Sequence, residues 1–192
     1  MDGVVSLLDR TSEQVVRALW DELAERYDLR DGAQRVPHPH FSYHIAEGYD
    51  LARTEAALAH VAAQVQPFTV HVTGLGAFER PEEVLYLAVA RNAALDRLHA
   101  ALWRALAEDG VTQGASPLYA PDSWIPHITL AQGDLTLDLL HAIQSAWAER
   151  DVRREVWVSD LTLLSQTPGA ASHTPAMRFA LGSGERLDAN DH

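Results

Sequence analysis

The chain contains no cysteine. That excludes a disulfide framework, a thiolate metal site and a cysteine nucleophile. Lysine is absent as well, all 15 basic residues being arginine. Schiff-base chemistry, a Walker-type phosphate loop and a lysine-adenylate intermediate all need that missing amine. No apolar run approaches the roughly 20 residues that cross a bilayer. The start, Met1-Asp2-Gly3-Val4-Val5, puts no basic segment ahead of an apolar one. A cytoplasmic protein without membrane attachment is expected. Positive charge is also scarce: the formal net charge is −12, which speaks against duplex DNA as a partner, because such binding depends on neutralising many phosphates. Any phosphate group must be met locally.

What is present is 192 residues, 47% of them hydrophobic, enough to bury a sizeable core in one domain. Residues 4–8 form a strand candidate. Thr11-Ser12-Glu13-Gln14 has capping-box spacing, and Val15, Leu19, Leu23 and Tyr27 recur at helical intervals, predicting a helix that ends near Asp31-Gly32. Pro37-His38-Pro39-His40 disfavours helix, and 41–46 alternates as a strand. Helices are expected over 51–65, 93–108 and 137–149. Strands are expected over 68–73 and 84–89 as a hairpin, then over 125–131, 155–164 and 176–181, with a long turn-rich segment at 110–121. Residues 182–192 read as a flexible tail.

An internal correspondence runs through this order. His40 is followed by strand, turn, helix and a strand ending in Thr73-Gly74-Leu75, and His127 leads in the same order to Ser159-Asp160-Leu161. The spacings are 75 − 40 = 35 and 161 − 127 = 34 positions. Repeats over about 36–90 and 123–181 within one bilobal domain are expected.

Strand side chains alternate between faces, so His40 and Ser42 point the same way, roughly 7 Å apart, as do His127 and Thr129. Two imidazoles and two hydroxyls facing one cleft suit in-line phosphodiester chemistry. One histidine takes a proton from the attacking oxygen, the other gives one to the leaving oxygen, and the hydroxyls donate to the phosphate. No metal or cofactor is called for. Tyr43 and Tyr119 are candidates to stack on a base, and Arg178 is a candidate to steady the phosphate. In a regular strand His38 and His44 would share the face of His40, and such spacing could also gather a metal. His60, His71, His99 and His141 lack a hydroxyl at the motif spacing and read as structural. Trp20, Trp103 and Trp147 read as core, and Arg153-Arg154 as a surface pair.

His40-Phe41-Ser42-Tyr43 and His127-Ile128-Thr129-Leu130 resemble the paired H-x-[ST]-x motifs of the two-histidine phosphoesterase superfamily. Trp124-Ile125-Pro126-His127-Ile128-Thr129-Leu130 is similar to its bacterial 2′-5′ RNA ligase-like branch. The resemblance spans roughly 36–181. It implies an α+β fold of two antiparallel sheets forming a central cleft with helices outside. It implies His40 and His127 as acid and base and Ser42 and Thr129 as phosphate donors. The implied reaction is cleavage of 2′,3′-cyclic or 2′-5′ phosphodiesters on RNA ends or small nucleotides, with ligation as its reverse. Ser42 stands where threonine is commoner and still supplies a hydroxyl. The acidic charge favours a small nucleotide or RNA terminus, handled by a monomer, over a long polymer. A non-catalytic nucleotide-end-binding module is the alternative.

Overall fold

The computed structural model describes residues 1–108 and 110–188. In chain order the elements are β1 (Asp2–Leu7), α1 (Arg10–Tyr27), α2 (Asp31–Arg35), β2 (His40–Ala46), β3 (Gly48–Tyr49), α3 (Leu51–Gln64), β4 (Phe68–Phe78), β5 (Val84–Ala90), α4 (Ala93–Leu106), β6 (Thr112–Gln113), β7 (His127–Gln132), α5 (Leu137–Ala146), β8 (Arg154–Val158), β9 (Asp160–Ser165) and β10 (Thr174–Ala180). Two four-stranded antiparallel sheets carry the fold, ordered β10-β9-β1-β2 and β7-β5-β4-β8, with β3 and β6 paired separately. This is the expected α+β architecture.

Local chemistry sets most boundaries. Asp9, rather than the Thr11 box, caps α1: its carboxylate accepts from Ser12 N at 3.0 Å and Ser12 Oγ at 2.8 Å, which satisfies a first-turn donor. Asp28, at φ 58°, ends that helix in the left-handed conformation, so the expected single helix to residue 32 becomes α1 and the short α2. Asp50, Asn92 and Thr136 cap α3, α4 and α5 in the same manner. The strand expected over 155–164 breaks at Ser159. Its first part joins β4 and its second joins β1 and β10, in different sheets. Residues 182–188 turn back on the domain: Gly182 N donates to Ala62 O, Leu187 N donates to Arg178 O, and Arg186 pairs with Glu55. The remainder of the expected tail, 189–192, lies outside the described residues.

The helices pack crosswise. α1 links β1 to β2 in the first sheet yet lies on β7 and β8 of the second, while α4 links β5 to β7 in the second yet lies on β2 of the first. Leu19 and Leu23 of α1 and Leu95, Leu98 and Leu102 of α4 are buried in one continuous core. At the outer margins of the two sheets β2 and β7 approach each other. The cleft opens between them.

Candidate active site

Alternation along the two marginal strands sets out the site. Phe41 and Tyr43 are buried, as are Ile128 and Leu130, whereas His40, Ser42, His127 and Thr129 are half-buried and line a cleft of about 570 Å³. Each strand then carries a register shift at the same step. Val4 pairs with His44 but Val5 with Ser42, leaving Tyr43 as the extra residue; Leu85 pairs with Ala131 but Tyr86 with Thr129, leaving Leu130. An inserted residue reverses the facing of the residues after it. Ile45 and Gln132, each five positions after a histidine, therefore reach the cleft.

The bulge corrects the regular-strand expectation for His44. That ring is 1% exposed and lies against Trp103 and Tyr49, with Nδ1 2.7 Å from the Tyr49 hydroxyl. Tyr49 donates its single proton to the His44 carbonyl, so His44 Nδ1 carries the hydrogen and donates to the phenol oxygen. Turned away in this manner, His44 drops out of the His38/His40/His44 set. Among the described residues no group of three His, Cys, Asp or Glu is placed to hold a metal.

His40 and His127 are mounted alike. His40 Nδ1 lies 2.6 Å from the carbonyl of His38, and His127 Nδ1 lies 2.7 Å from that of Ile125. A carbonyl can only accept, so each Nδ1 carries a hydrogen, and in the neutral ring Nε2 keeps a lone pair. Both Nε2 atoms are left without a hydrogen-bond partner among the described residues. Phe78 and Tyr86 flank the His127 ring at 5.1 Å each. Gly76, paired with Tyr86 on β4, makes room for the phenol: a Cβ there would lie 2.5 Å from Tyr86 Cζ.

Burial pushes His40 down to about 4, and the nearby positive charges of His127, His38 and His173 add to that, against the pull of the His38 carbonyl. Burial also lowers His127, partly offset by the Ile125 carbonyl. The His127 charge opposes protonation of His40, so the titration belongs to the pair, and a second proton is taken up less readily than the first.

Two candidate substrate contacts are corrected. Tyr43 is fully buried, and its hydroxyl donates to Ser6 Oγ at 2.8 Å while that oxygen donates to Asp160 O at 2.6 Å. It cannot stack on a ligand. Arg178 is buried against Asp160, which also accepts from Leu7 N at 3.1 Å and Thr162 Oγ1 at 3.2 Å. Its guanidinium ties β10 to β9, and it does not line the cleft. Tyr119 does line it, on the segment 110–121, beside Ser116 and Leu118. Of the histidines read as structural, His99 is buried, but His60, His71 and His141 lie on the surface. Trp147 is core, whereas Trp20 and Trp103 are half-buried. Arg153 pairs with Asp151 at 2.9 Å on the surface.

The structure adds cleft residues that the motifs did not point to. Arg35, Arg80 and His173 line it, with Glu82 the only carboxylate among the lining residues. Arg35 pairs with Asp31 at 2.7 Å, while Arg80 makes no ion pair among the described residues. In a chain of net charge −12, the cleft thus carries few carboxylates, and Arg80 is a cation that an anionic ligand could meet there. Leu118 and Ile125, 63% and 52% exposed, form an apolar rim.

The arrangement can hold a phosphate between two imidazoles and two hydroxyls. A family model described as the 2′-5′ RNA ligase superfamily matches residues 9–170. No curated protein sequence matches. Among solved structures, TT0787 of Thermus thermophilus is similar at TM-score 0.63 and 20% identity, covering 95% of this chain and 99% of that one. E. coli LigT in apo form is similar at TM-score 0.59 and 17% identity, covering 94% and 96%. E. coli LigT complexed with 3′-AMP gives 0.56 and 18%, covering 94% and 98%. At these identities the likeness is one of fold.

Proposed function

The chain belongs to the 2′-5′ RNA ligase superfamily of two-histidine phosphoesterases, and from that membership we propose that its cleft hydrolyses 2′,3′-cyclic or 2′-5′ phosphodiesters on small nucleotides or RNA ends. The observation that carries the reading is the matched mounting of the two imidazoles. Each lines the cleft with Nδ1 tied to the carbonyl two residues earlier, and Nε2 has no hydrogen-bond partner among the described residues, so each ring can serve as base when neutral and as acid when charged.

On a 2′,3′-cyclic phosphate one neutral imidazole takes a proton from water as the water oxygen bonds to phosphorus. The P–O3′ bond breaks, and the opposite imidazolium gives its Nε2 proton to O3′, leaving a 2′-phosphate. The pair starts with one proton and ends with one, on the other ring. Ser42 and Thr129 hydroxyls donate to the non-bridging oxygens, where charge accumulates. Attack by a ribose hydroxyl in place of water runs the same steps toward ligation. E. coli LigT has been solved with 3′-AMP, and a cleft of about 570 Å³ has room for a nucleotide. The apolar rim suits a base, and the acidic outer surface disfavours a long polyanion.

Turnover of nucleoside 2′,3′-cyclic monophosphates and 2′-5′-linked dinucleotides, measured in EDTA, tests this. His40→Ala and His127→Ala should each lose about a hundredfold to ten-thousandfold in rate while keeping the wild-type circular dichroism. Near-full activity in either variant refutes the acid–base assignment. Tight nucleotide binding with no turnover in the wild type would replace it with a binding module.

A further inference from the structure

The two motif strands are each held by an indole that itself borders the cleft, and the holding is crosswise. Trp124, just ahead of β7, donates from Nε1 to the carbonyl of Ser42 on β2 at 2.8 Å; Trp20, on α1, donates from Nε1 to the carbonyl of Thr129 on β7 at 3.2 Å. In both cases the carbonyl belongs to the residue whose hydroxyl lines the cleft. β2 and β7 are the outermost strands of their sheets, so each has one side without a neighbouring ladder. The packing of α1 on β7 brings Trp20 to Thr129, and the approach of β7 to β2 brings Trp124 to Ser42.

Trp124 is itself braced. His99 of α4 stacks on it at 3.8 Å with the rings 7° from parallel, and the Arg91 guanidinium lies 5.5 Å from the ring centre. His99 Nε2 is 3.1 Å from Tyr43 O and 3.0 Å from Tyr119 O. Both partners are acceptors, so that nitrogen carries a hydrogen shared between them, joining β2 to the cleft wall.

We propose that Trp20 and Trp124 are reciprocal positioning residues that set the separation of the two motif strands, and so decide whether both hydroxyls and both imidazoles reach one phosphate. The proposal rests on the phosphodiesterase reading. An ångström of misplacement at a reacting centre can cost about a hundredfold in rate, and moving Ser42 or Thr129 moves the histidine two residues before it.

The test compares Trp→Phe, which keeps a ring but removes the donor, with Trp→His, whose Nε2 hydrogen sits at nearly the same reach along the ring. W124F and W20F should each lower kcat/KM about ten- to a hundredfold at a temperature well below their own melting points, and W124H and W20H should recover part of the loss. Repeated in Ser42→Ala and Thr129→Ala backgrounds, W124F should lose part of its effect with Ser42→Ala, the part that runs through the hydroxyl rather than His40, and keep more of it with Thr129→Ala; W20F should show the reverse. Equal losses for Phe and His, or the same loss in every background, would overturn the proposal. Should the wild type turn over no phosphodiester, the functional reading fails and the same variants are compared by inorganic phosphate titration followed on the His40 and His127 imidazole resonances. The matched pattern in phosphate affinity then supports the clamp, and uniform affinity across the set refutes it.

Discussion

The dependence of kcat/KM on pH follows from how the histidines are buried. The proposed acid–base mechanism needs one imidazole neutral and one charged, so under it activity tracks the singly protonated pair. In the free enzyme His40 is pushed down to about 4 by burial and by the His127 charge, and His127 is pushed below its ordinary 6.5. The singly protonated form therefore dominates from about pH 4 to a limit under 6.5. At pH 7.5 it is at most about one tenth of the population. The profile of kcat/KM should peak on the acid side of neutrality and fall at least about tenfold from pH 5.5 to 7.5, then with unit slope. The profile of kcat should extend to higher pH, because a bound phosphodiester anion favours the imidazolium. Initial rates on a 2′,3′-cyclic nucleotide from pH 4 to 9 at fixed ionic strength give both curves, and proton NMR of the two imidazoles gives their titrations directly. A kcat/KM maximum at or above pH 7.5, with His40 titrating near 6.5, would refute the reasoning.

Other parts of the molecule give separate expectations. Lowering pH from 6.5 to 4 protonates histidines in the unfolded chain well before His44 in the fold, where burial and the His99 charge hold it at about 4. His44 thus contributes about 3 kcal/mol of acid destabilisation, and in His44→Phe the loss of stability between those pH values, read from urea unfolding, should shrink by about that much; an unchanged loss contradicts it. Arg178→Met leaves the Asp160 carboxylate buried without its cation and should cost about 3–5 kcal/mol in urea unfolding at pH 7. A cost under about 1 kcal/mol would mean that the pair does not tie β9 to β10. Gly76→Ala puts a methyl 2.5 Å from Tyr86 Cζ, so the phenol must move off the His127 ring. A fall in kcat larger than the rise in KM is expected, and wild-type kcat would show that Tyr86 does not seat the histidine.

How much of this was legible in the sequence depended on the range of the interaction. The histidine–hydroxyl pairs were readable because facing in a strand is fixed two residues at a time, and the burial of Phe41, Tyr43, Ile128 and Leu130 follows the same alternation. The bulge one residue past each hydroxyl was not readable, since a register shift is set by the partner strand. It is why His44 turned inward against the expectation of a regular strand. Tyr43 and Arg178 were misplaced for a related reason. Their partners, Ser6 and Asp160, are 37 and 18 positions away, and no local pattern marks a buried polar network. Arg35, Arg80 and His173 reach the cleft from α2, the β4–β5 connection and the segment before β10, none periodic with the motifs. Trp124 stood beside the second motif in plain view, but its partner on β2 depends on tertiary packing alone.

The composition of the two sheets bears on how the protein is made. The sheet that carries His40 takes β1 and β2 from the start of the chain and β9 and β10 from its end. A ribosome releases His40 long before it releases Asp160, and until then β1 has a bare flank and Tyr43 has no completed network beneath it. His127 emerges after β4 and β5, so its strand meets a hairpin that is already formed. The two motif-bearing halves are therefore finished in the reverse of the order in which their histidines are translated. A chain cut short before β9 would present an unpaired β1 to other chains, a template for aggregation, rather than a half-working enzyme.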